Sequence, residues 1–143
     1  MKSGLGKLFL VASGILTIGV LVGSAQIANQ VSFKMSQPFT VGNATLAAGS
    51  YIITPVQETD LSVIEISAAN GKPSVLVDVS LIAPDAAQGG SHLIFNRYKN
   101  VLALSQIFPG GGNQGYQLVQ GHPENLAAKT ETPAKQTVSS TAK

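Results

Sequence analysis

The chain has 143 residues, of which 44% are hydrophobic and 11% charged, with a net charge of +2 and no cysteine. A length of roughly 100–200 residues indicates one domain, and the low share of charged residues excludes a disordered acidic or basic chain. The absence of cysteine excludes a disulfide scaffold, a thiolate zinc site and a cysteine nucleophile.

The first 25 residues have the three parts of a secretory signal peptide. Lys2 and Lys7 make a basic start, residues 8–22 are uncharged and apolar, and small residues follow. We expect a signal helix that is cleaved after Ala25, with an uncleaved anchor as the alternative. Nine basic residues minus these two lysines leave seven, against seven acidic residues, in the mature chain. A neutral mature chain lacks the basic patch that nucleic-acid binding needs.

The first part of the mature chain has the alternation and turn signals of successive β-strands. Residues 31–36 alternate between apolar and polar side chains, as in a half-buried strand. Asn70-Gly71 is the strongest hairpin signal, since a type I′ turn needs positive φ at both central residues. Pro55 predicts an edge position or a bulge, because proline cannot donate to the ladder. The run 74–83 predicts a long apolar strand.

A second hairpin is predicted from residues 92–98 and 101–108, followed by a glycine-rich loop and a last strand over 116–120. Seven or eight short strands without a helical period predict an all-β domain over residues 26–120. The sequence leaves open an antiparallel β-sandwich or a partly closed barrel. The expected core consists of Phe33, Phe39, Val41, Leu46, Tyr51, Ile53, Ile64, Ile66, Val77, Val79, Phe95, Leu102 and Leu104.

Residues 121–143 differ in composition from the strands before them. They contain Pro123 and Pro133, several small polar residues and no aromatic residue. Because so little apolar surface is available to offset the entropy of ordering, we predict a disordered tail. A short helix over residues 124–129 is compatible with Pro123 in a first helical turn.

The sequence offers no catalytic or metal-binding constellation. His92 and His122 are the only histidines and lack neighbouring ligands at the spacing of a metal site, so we expect both at the surface. A Gly-x-Ser-x-Gly elbow is absent, and a hydrolase would need a pocket in which a serine and an acid reach His92. Glu65 and Asp78 are expected to be solvated rather than paired as in a glycosidase. We predict no enzyme, no metal and no cofactor.

One candidate binding surface combines the single arginine with the glycine-rich loop 110–115. A guanidinium can clamp a carboxylate or stack on a tyrosine, and loops on a rigid scaffold often carry binding residues. The candidate binding residues are Arg97, Tyr98, Gly111, Asn113 and Tyr116.

Two motifs resemble a group of small exported single-domain β-proteins of unknown function that is common in acidobacteria. They are Pro38-Phe39-x-Val41-Gly42-x-x-x-Leu46-x-Ala48-Gly49-x-Tyr51 and Phe95-x-Arg97-Tyr98, the second followed by Leu104-Ser105-Gln106-Ile107. The resemblance covers about residues 31–108 and implies export and a β-domain. It carries over no catalytic residue.

The predicted function is that of an exported, non-enzymatic bacterial β-domain, periplasmic or extracellular, that acts at the cell envelope by binding or self-assembly. The expected partner is a protein or a glycan, not a nucleic acid, and the membrane is contacted only through the signal segment before cleavage. Self-association would use an edge strand, for which the apolar run that ends before Pro84 is the candidate. The alternative is a small-ligand or glycan-binding module that uses the loop 110–115.

Overall fold

The computed structural model describes residues 30–57, 59–85, 89–110 and 114–142. The predicted signal segment with its cleavage position Ala25, and the loop residues Gly111 and Asn113, lie outside the described residues. Within the described part, no helix is both long and apolar enough to cross a membrane.

The elements in chain order are β1 Val31–Met35, β2 Phe39–Val41, β3 Ala44–Leu46, β4 Gly49–Pro55, β5 Val63–Ala68, β6 Ser74–Ile82, β7 His92–Arg97, β8 Leu102–Phe108, β9 Gly115–Leu118, α1 His122–Ala128, β10 Ala134–Ser139 and β11 Thr141–Ala142.

The all-β class predicted from the sequence is confirmed, but the number and closure of the strands differ from the prediction. The described residues form eleven strands instead of seven or eight. They belong to one open sheet, with the order β10-β7-β8-β9-β6-β5-β4-β1-β11 and with β2 and β3 attached beside β8. All pairings are antiparallel except a short parallel contact between β2 and β8.

The longest strand, β6, joins the two halves of this sheet. Its residues 74–78 pair with β5, and its residues 79–82 pair with β9. The sheet must curl, because Phe39 contacts rings on strands that lie far apart in the sheet order. Its ring centre lies 5.8 Å from that of Phe33 on β1 and 5.8 Å from that of Phe95 on β7.

A single hydrophobic core fills the space between the two halves of the curled sheet. All thirteen residues that the sequence predicted for the core are buried. Phe39 lies at its centre and is also in edge-to-face contact with Tyr51, at 5.1 Å between ring centres. Buried aromatic rings in this arrangement contribute both apolar area and a favourable ring geometry.

The predicted turn between β5 and β6 needs correction. The hairpin between β5 and β6 exists, but its loop spans residues 69–73 instead of the two residues Asn70-Gly71. Asn70 Oδ1 accepts a hydrogen bond from the backbone N–H of Lys72, and Gly71 has φ of +93°, which favours glycine.

Pro55 was predicted to mark an edge strand or a bulge, and that prediction is wrong, because β4 lies between β1 and β5. Pro55 is tolerated as the last residue of β4. The next residue, Val56, donates its N–H to Val63 on the β5 side, so the position of Pro55 faces the opposite side. On that side the described part of β1 begins only opposite Ile53, so no described residue needs a donor from Pro55.

The predicted disordered tail is also corrected by the structure. Residues 122–128 form α1, with Pro123 in its first turn as predicted. Residues 134–142 form β10 on β7 and β11 on β1, so one short segment supplies both ends of the sheet. The composition was misleading because a backbone ladder needs no apolar side chains, and only Val138 of this segment packs against the core.

Candidate functional site

Of the predicted binding residues, the three that the structure describes do not come together. Arg97 and Tyr98 lie at one end of the β7–β8 hairpin, where Arg97 pairs with Leu102, whereas Tyr116 pairs with Ile107 near the other end. Leu102 and Ile107 are five positions apart along β8, which is about 17 Å at the rise of an antiparallel strand. Tyr98 and Tyr116 are both buried, so their rings are not platforms for a sugar.

Arg97 and the residues around it are engaged by the C-terminal part of the chain. Arg97 Nε donates to Gln136 Oε1 of β10 at 2.7 Å. The backbone N–H of Lys99 donates to Glu131 Oε2, also at 2.7 Å. The guanidinium is thus used to position β10 in this structure.

A buried carboxylate lies where α1 packs against β7. Glu124 is 3% exposed, and its Oε1 accepts hydrogen bonds from Asn96 Nδ2 at 2.7 Å, from the Tyr98 hydroxyl at 3.1 Å and from Gln120 Nε2 at 3.3 Å. Lys135 Nζ donates to Asn96 Oδ1 at 2.5 Å. We call Asn96, Tyr98, Gln120, Glu124 and Lys135 the Glu124 network.

The Glu124 network affects the acidity of its tyrosine. Burial is the main cause that raises the pKa of Tyr98 above its ordinary value of 10.0, and the negative charge of Glu124 adds to it. Sequence analysis missed Glu124 because it lies in the segment interpreted as a tail, 28 residues away from Asn96. The only available signal was Pro123, which indicated the first turn of a helix.

His92 was predicted at the surface, but it is 3% exposed. Its ring stacks on Phe108, with 4.9 Å between ring centres. Nδ1 lies 2.8 Å from the Gly90 carbonyl oxygen, and Nε2 lies 3.1 Å from Asp85 Oδ2. Both ring nitrogens therefore face oxygen atoms that can accept a hydrogen bond.

The surroundings of His92 do not have the geometry of a hydrolytic triad. In a triad one ring nitrogen contacts the acid and the other takes the proton of the nucleophile. In this structure the second nitrogen faces a carbonyl, and the hydroxyl of the neighbouring Ser91 lies 2.6 Å from that of Ser140. Among the described residues, no group of three or more His, Cys, Asp or Glu side chains is placed to hold a metal ion.

Glu65 and Asp78 do not face each other as a catalytic pair. In the β5–β6 ladder Glu65 pairs with Leu76 and Asp78 pairs with Val63, so the two carboxylates are diagonal neighbours. Glu65 accepts a hydrogen bond from the hydroxyl of Ser74 at 2.5 Å, and the Asp78 side chain is exposed.

A groove runs along the half of β6 that pairs only with β5. We call it the β6 groove; its volume is about 380 Å³, and it is lined by residues 41–44, 75–78 and 119–121. Leu76 and Val119 stand on its rim and are 63% and 60% exposed. Asp78 is the only ionisable residue in this lining.

Backbone groups of β6 point into this groove. Val79 donates its N–H to Ser62 on the β5 side, and the N–H and C=O groups of successive residues alternate between the two edges of a strand. The groups of Val77 therefore face β5, while those of Leu76 face the groove. No strand of the described residues pairs with Leu76 on that side.

The groove ends at a tight crossing of two chain segments. The residues after β9 pass directly over the β2–β3 turn, and a side chain on Gly121 would overlap the carbonyl of Gly42. The N–H of His122 donates to Asn43 Oδ1 at 2.8 Å. These contacts fix one wall of the β6 groove.

A second groove, which we call the hydroxyl groove, lies on the outer face of β1 and β4. Its volume is about 440 Å³. Among the described residues that line it, Lys34 is the only one with a charged side chain, and the accessible hydroxyl groups are those of Ser32, Ser50, Ser139, Ser140 and Thr141.

Comparison with known proteins gives no relative from which a role could be transferred. No family model, no curated protein and no solved structure matches the chain. The class of the protein is defined by its own fold: a mostly-β domain with a groove beside an incompletely paired strand.

Proposed function

We propose that this chain is an exported, non-enzymatic β-domain protein of the bacterial cell envelope or extracellular space that acts by binding or self-assembly. In this proposal the curled sheet serves as a sandwich-like scaffold, and the β6 groove is the contact surface. The acidobacterial resemblance and the signal-like first 25 residues support export.

The single observation that carries the proposal is the incomplete pairing of β6. A free strand edge accepts an extended segment, because the unpaired N–H and C=O groups form the same ladder with an incoming chain. Leu76 and Val119 add exposed apolar surface beside this edge, and exposed apolar residues that cluster at one place mark interaction sites. The run ending before Pro84 was predicted as an edge strand; it lies inside the sheet order, yet it is open on one side around Leu76, next to Asp78, whose carbonyl accepts the N–H of Val119.

The zero net charge of the mature chain is compatible with self-association. Seven basic and seven acidic residues remain after the signal segment, so no net repulsion opposes the approach of a second copy. Two antiparallel copies of the open half of β6 could place their Leu76 side chains next to each other.

Light scattering after size-exclusion chromatography of residues 26–143 tests this surface. We expect the mass of the wild-type chain to rise with concentration and Leu76→Asp to reduce this rise, since it places a carboxylate in an apolar contact beside Asp78. Leu126→Asp is the matched control, because Leu126 is 50% exposed on α1 and outside the groove. A wild-type chain that is monomeric at every concentration, or a mass that rises as strongly for Leu76→Asp as for Leu126→Asp, contradicts the proposal.

Export requires its own test. The full chain with a C-terminal tag is expressed in a Gram-negative host, and the periplasmic fraction is analysed by intact mass. We expect a species that begins at Gln26. A full-length mass in the membrane fraction would instead support the uncleaved anchor.

The hydroxyl groove favours a small-ligand or glycan-binding module as a second candidate function. Hydroxyl groups and one ammonium, with no carboxylate among the described lining residues, are suited to oxygen-rich neutral or anionic ligands. This candidate function uses the hydroxyl groove instead of the loop 110–115 that the sequence suggested. A glycan array that shows binding to the wild-type chain and none to Lys34→Glu supports this function; an array without binding removes it.

A further inference from the structure

We propose that the C-terminal segment, residues 134–142, is exchanged between two copies of this chain. This interaction uses β7 and β1, which become the edges of the sheet when the segment is released, and it is independent of the β6 groove. The occupant of these edges in the assembly is the same segment of a second copy.

The first observation is how the segment is held. Its backbone forms six register pairs with β7 and two with β1, whereas Val138 is its only side chain packed against the core. Release therefore exposes little apolar surface of the segment, and water can replace the backbone hydrogen bonds at a small net cost of about 1 kcal/mol each.

The second observation is the edge that release uncovers. Four of the six residues of β7, namely His92, Leu93, Phe95 and Asn96, are buried. A strand of such residues with an unpaired edge is a strong template for another extended segment. The segment of a second copy can form the same backbone hydrogen bonds with this edge of β7, in the same register. It also restores the contacts of Gln136 with Arg97 and of Lys135 with Asn96.

The third observation is the connection between α1 and β10. It consists of residues 129–133, which span up to about 17 Å when extended. Pro133 restricts Thr132 to extended conformations, and an extended connection is what exchange requires. Glu131 is the residue of this connection whose side chain bonds β7–β8, through the N–H of Lys99.

The topology makes the exchange reciprocal. Because β10 and β11 are separated only by Ser140 and pair with opposite ends of the sheet, one incoming segment completes both ends of the recipient. Two copies that donate to each other form a closed two-fold dimer in which every native pairing is kept.

Cysteine cross-linking tests the exchange in the full mature chain, and the absence of native cysteine makes the result unambiguous. Thr137 is directly opposite Ile94 in the ladder. Ser140 donates its N–H to Ser91, so this pair is a non-hydrogen-bonded one, at which the Cα atoms are close enough for a disulfide.

The experiment mixes two single variants, Ile94→Cys and Thr137→Cys, and oxidises them after incubation at high concentration. We expect a disulfide-linked heterodimer as the main covalent product. The control mixes Ser67→Cys with Ser74→Cys, which are opposite each other in the β5–β6 hairpin and should give no heterodimer above the background of like-with-like dimers. A mixture of Ile94→Cys and Thr137→Cys that behaves like this control overturns the proposal.

A second variant keeps the proposal testable if a cysteine variant does not fold. Deletion of residues 130–132 shortens the connection so that it cannot turn back onto its own β7, and the chain should become dimeric in light scattering. A folded, monomeric deletion variant contradicts exchange. Leu76→Asp separates the two proposals, because it abolishes association through the β6 groove and leaves the Ile94–Thr137 cross-link unchanged.

Discussion

Replacement of Glu124 by alanine tests whether the buried carboxylate holds α1 on the sheet. Asn96 and Tyr98, which are 4% and 5% exposed, would lose their acceptor, and each buried donor left unpaired costs about 1–3 kcal/mol. Gln120 is exposed and can turn to water. Relief of the desolvated carboxylate offsets part of this cost, so we expect a loss of about 3 kcal/mol in the free energy of unfolding and a decrease of roughly 10 °C in Tm.

Urea denaturation of Glu124→Ala, followed by circular dichroism, measures this change. Glu131→Ala is the control, because Glu131 accepts a single hydrogen bond from an exposed backbone N–H, and its loss should cost about 0.5 kcal/mol. If the two variants lose the same stability, the Glu124 network does not hold α1, and the reasoning is refuted.

Three further substitutions probe the core, the crossing and the titration of the network. Phe39→Ala should cost about 3–5 kcal/mol in urea denaturation, because Phe39 is 1% exposed at the centre of the aromatic contacts; a loss below about 1 kcal/mol would contradict this position. Gly121→Ala should cost about 3 kcal/mol, since its Cβ would overlap the carbonyl of Gly42, and a wild-type Tm would refute the tight crossing. The pKa of Tyr98 is raised, so its protonated form stabilises the fold below the ordinary value, and this contribution is lost as pH rises through the raised pKa. Tyr98→Phe should therefore show a smaller drop in Tm between about pH 8 and about pH 11 than the wild type, and an equal drop would contradict this assignment.

The core could be predicted from sequence because each strand carries its own pattern. Alternation with a period of two puts Phe33 and Tyr51 on the inner face whatever the order of the strands. The order of the strands in the sheet could not be predicted in this way, because no local pattern specifies that β6 changes its partner strand from β5 to β9 between Asp78 and Val79. For that reason the half-open edge of β6 was not visible in the sequence.

The C-terminal tail was wrongly predicted as disordered, because amino-acid composition describes only the side chains and not the backbone hydrogen bonds. Residues 134–142 are polar and become ordered by backbone pairing with β7 and β1. The Glu124 network depends on the same ordering, since it joins residues of β7, α1 and β10. Tyr98 and Glu124 are 26 positions apart, and Asn96 and Lys135 are 39 positions apart. Contacts at such separations leave no periodic pattern in a single sequence.

The pairing of Val31 with Ala142 places the two ends of the described domain side by side. Because both ends leave from the same end of the β1–β11 ladder, a pulling force applied to them would open its two residue pairs one after the other instead of shearing them together. Tension between the two ends of the described domain would thus detach β11 at low force while the core stays folded.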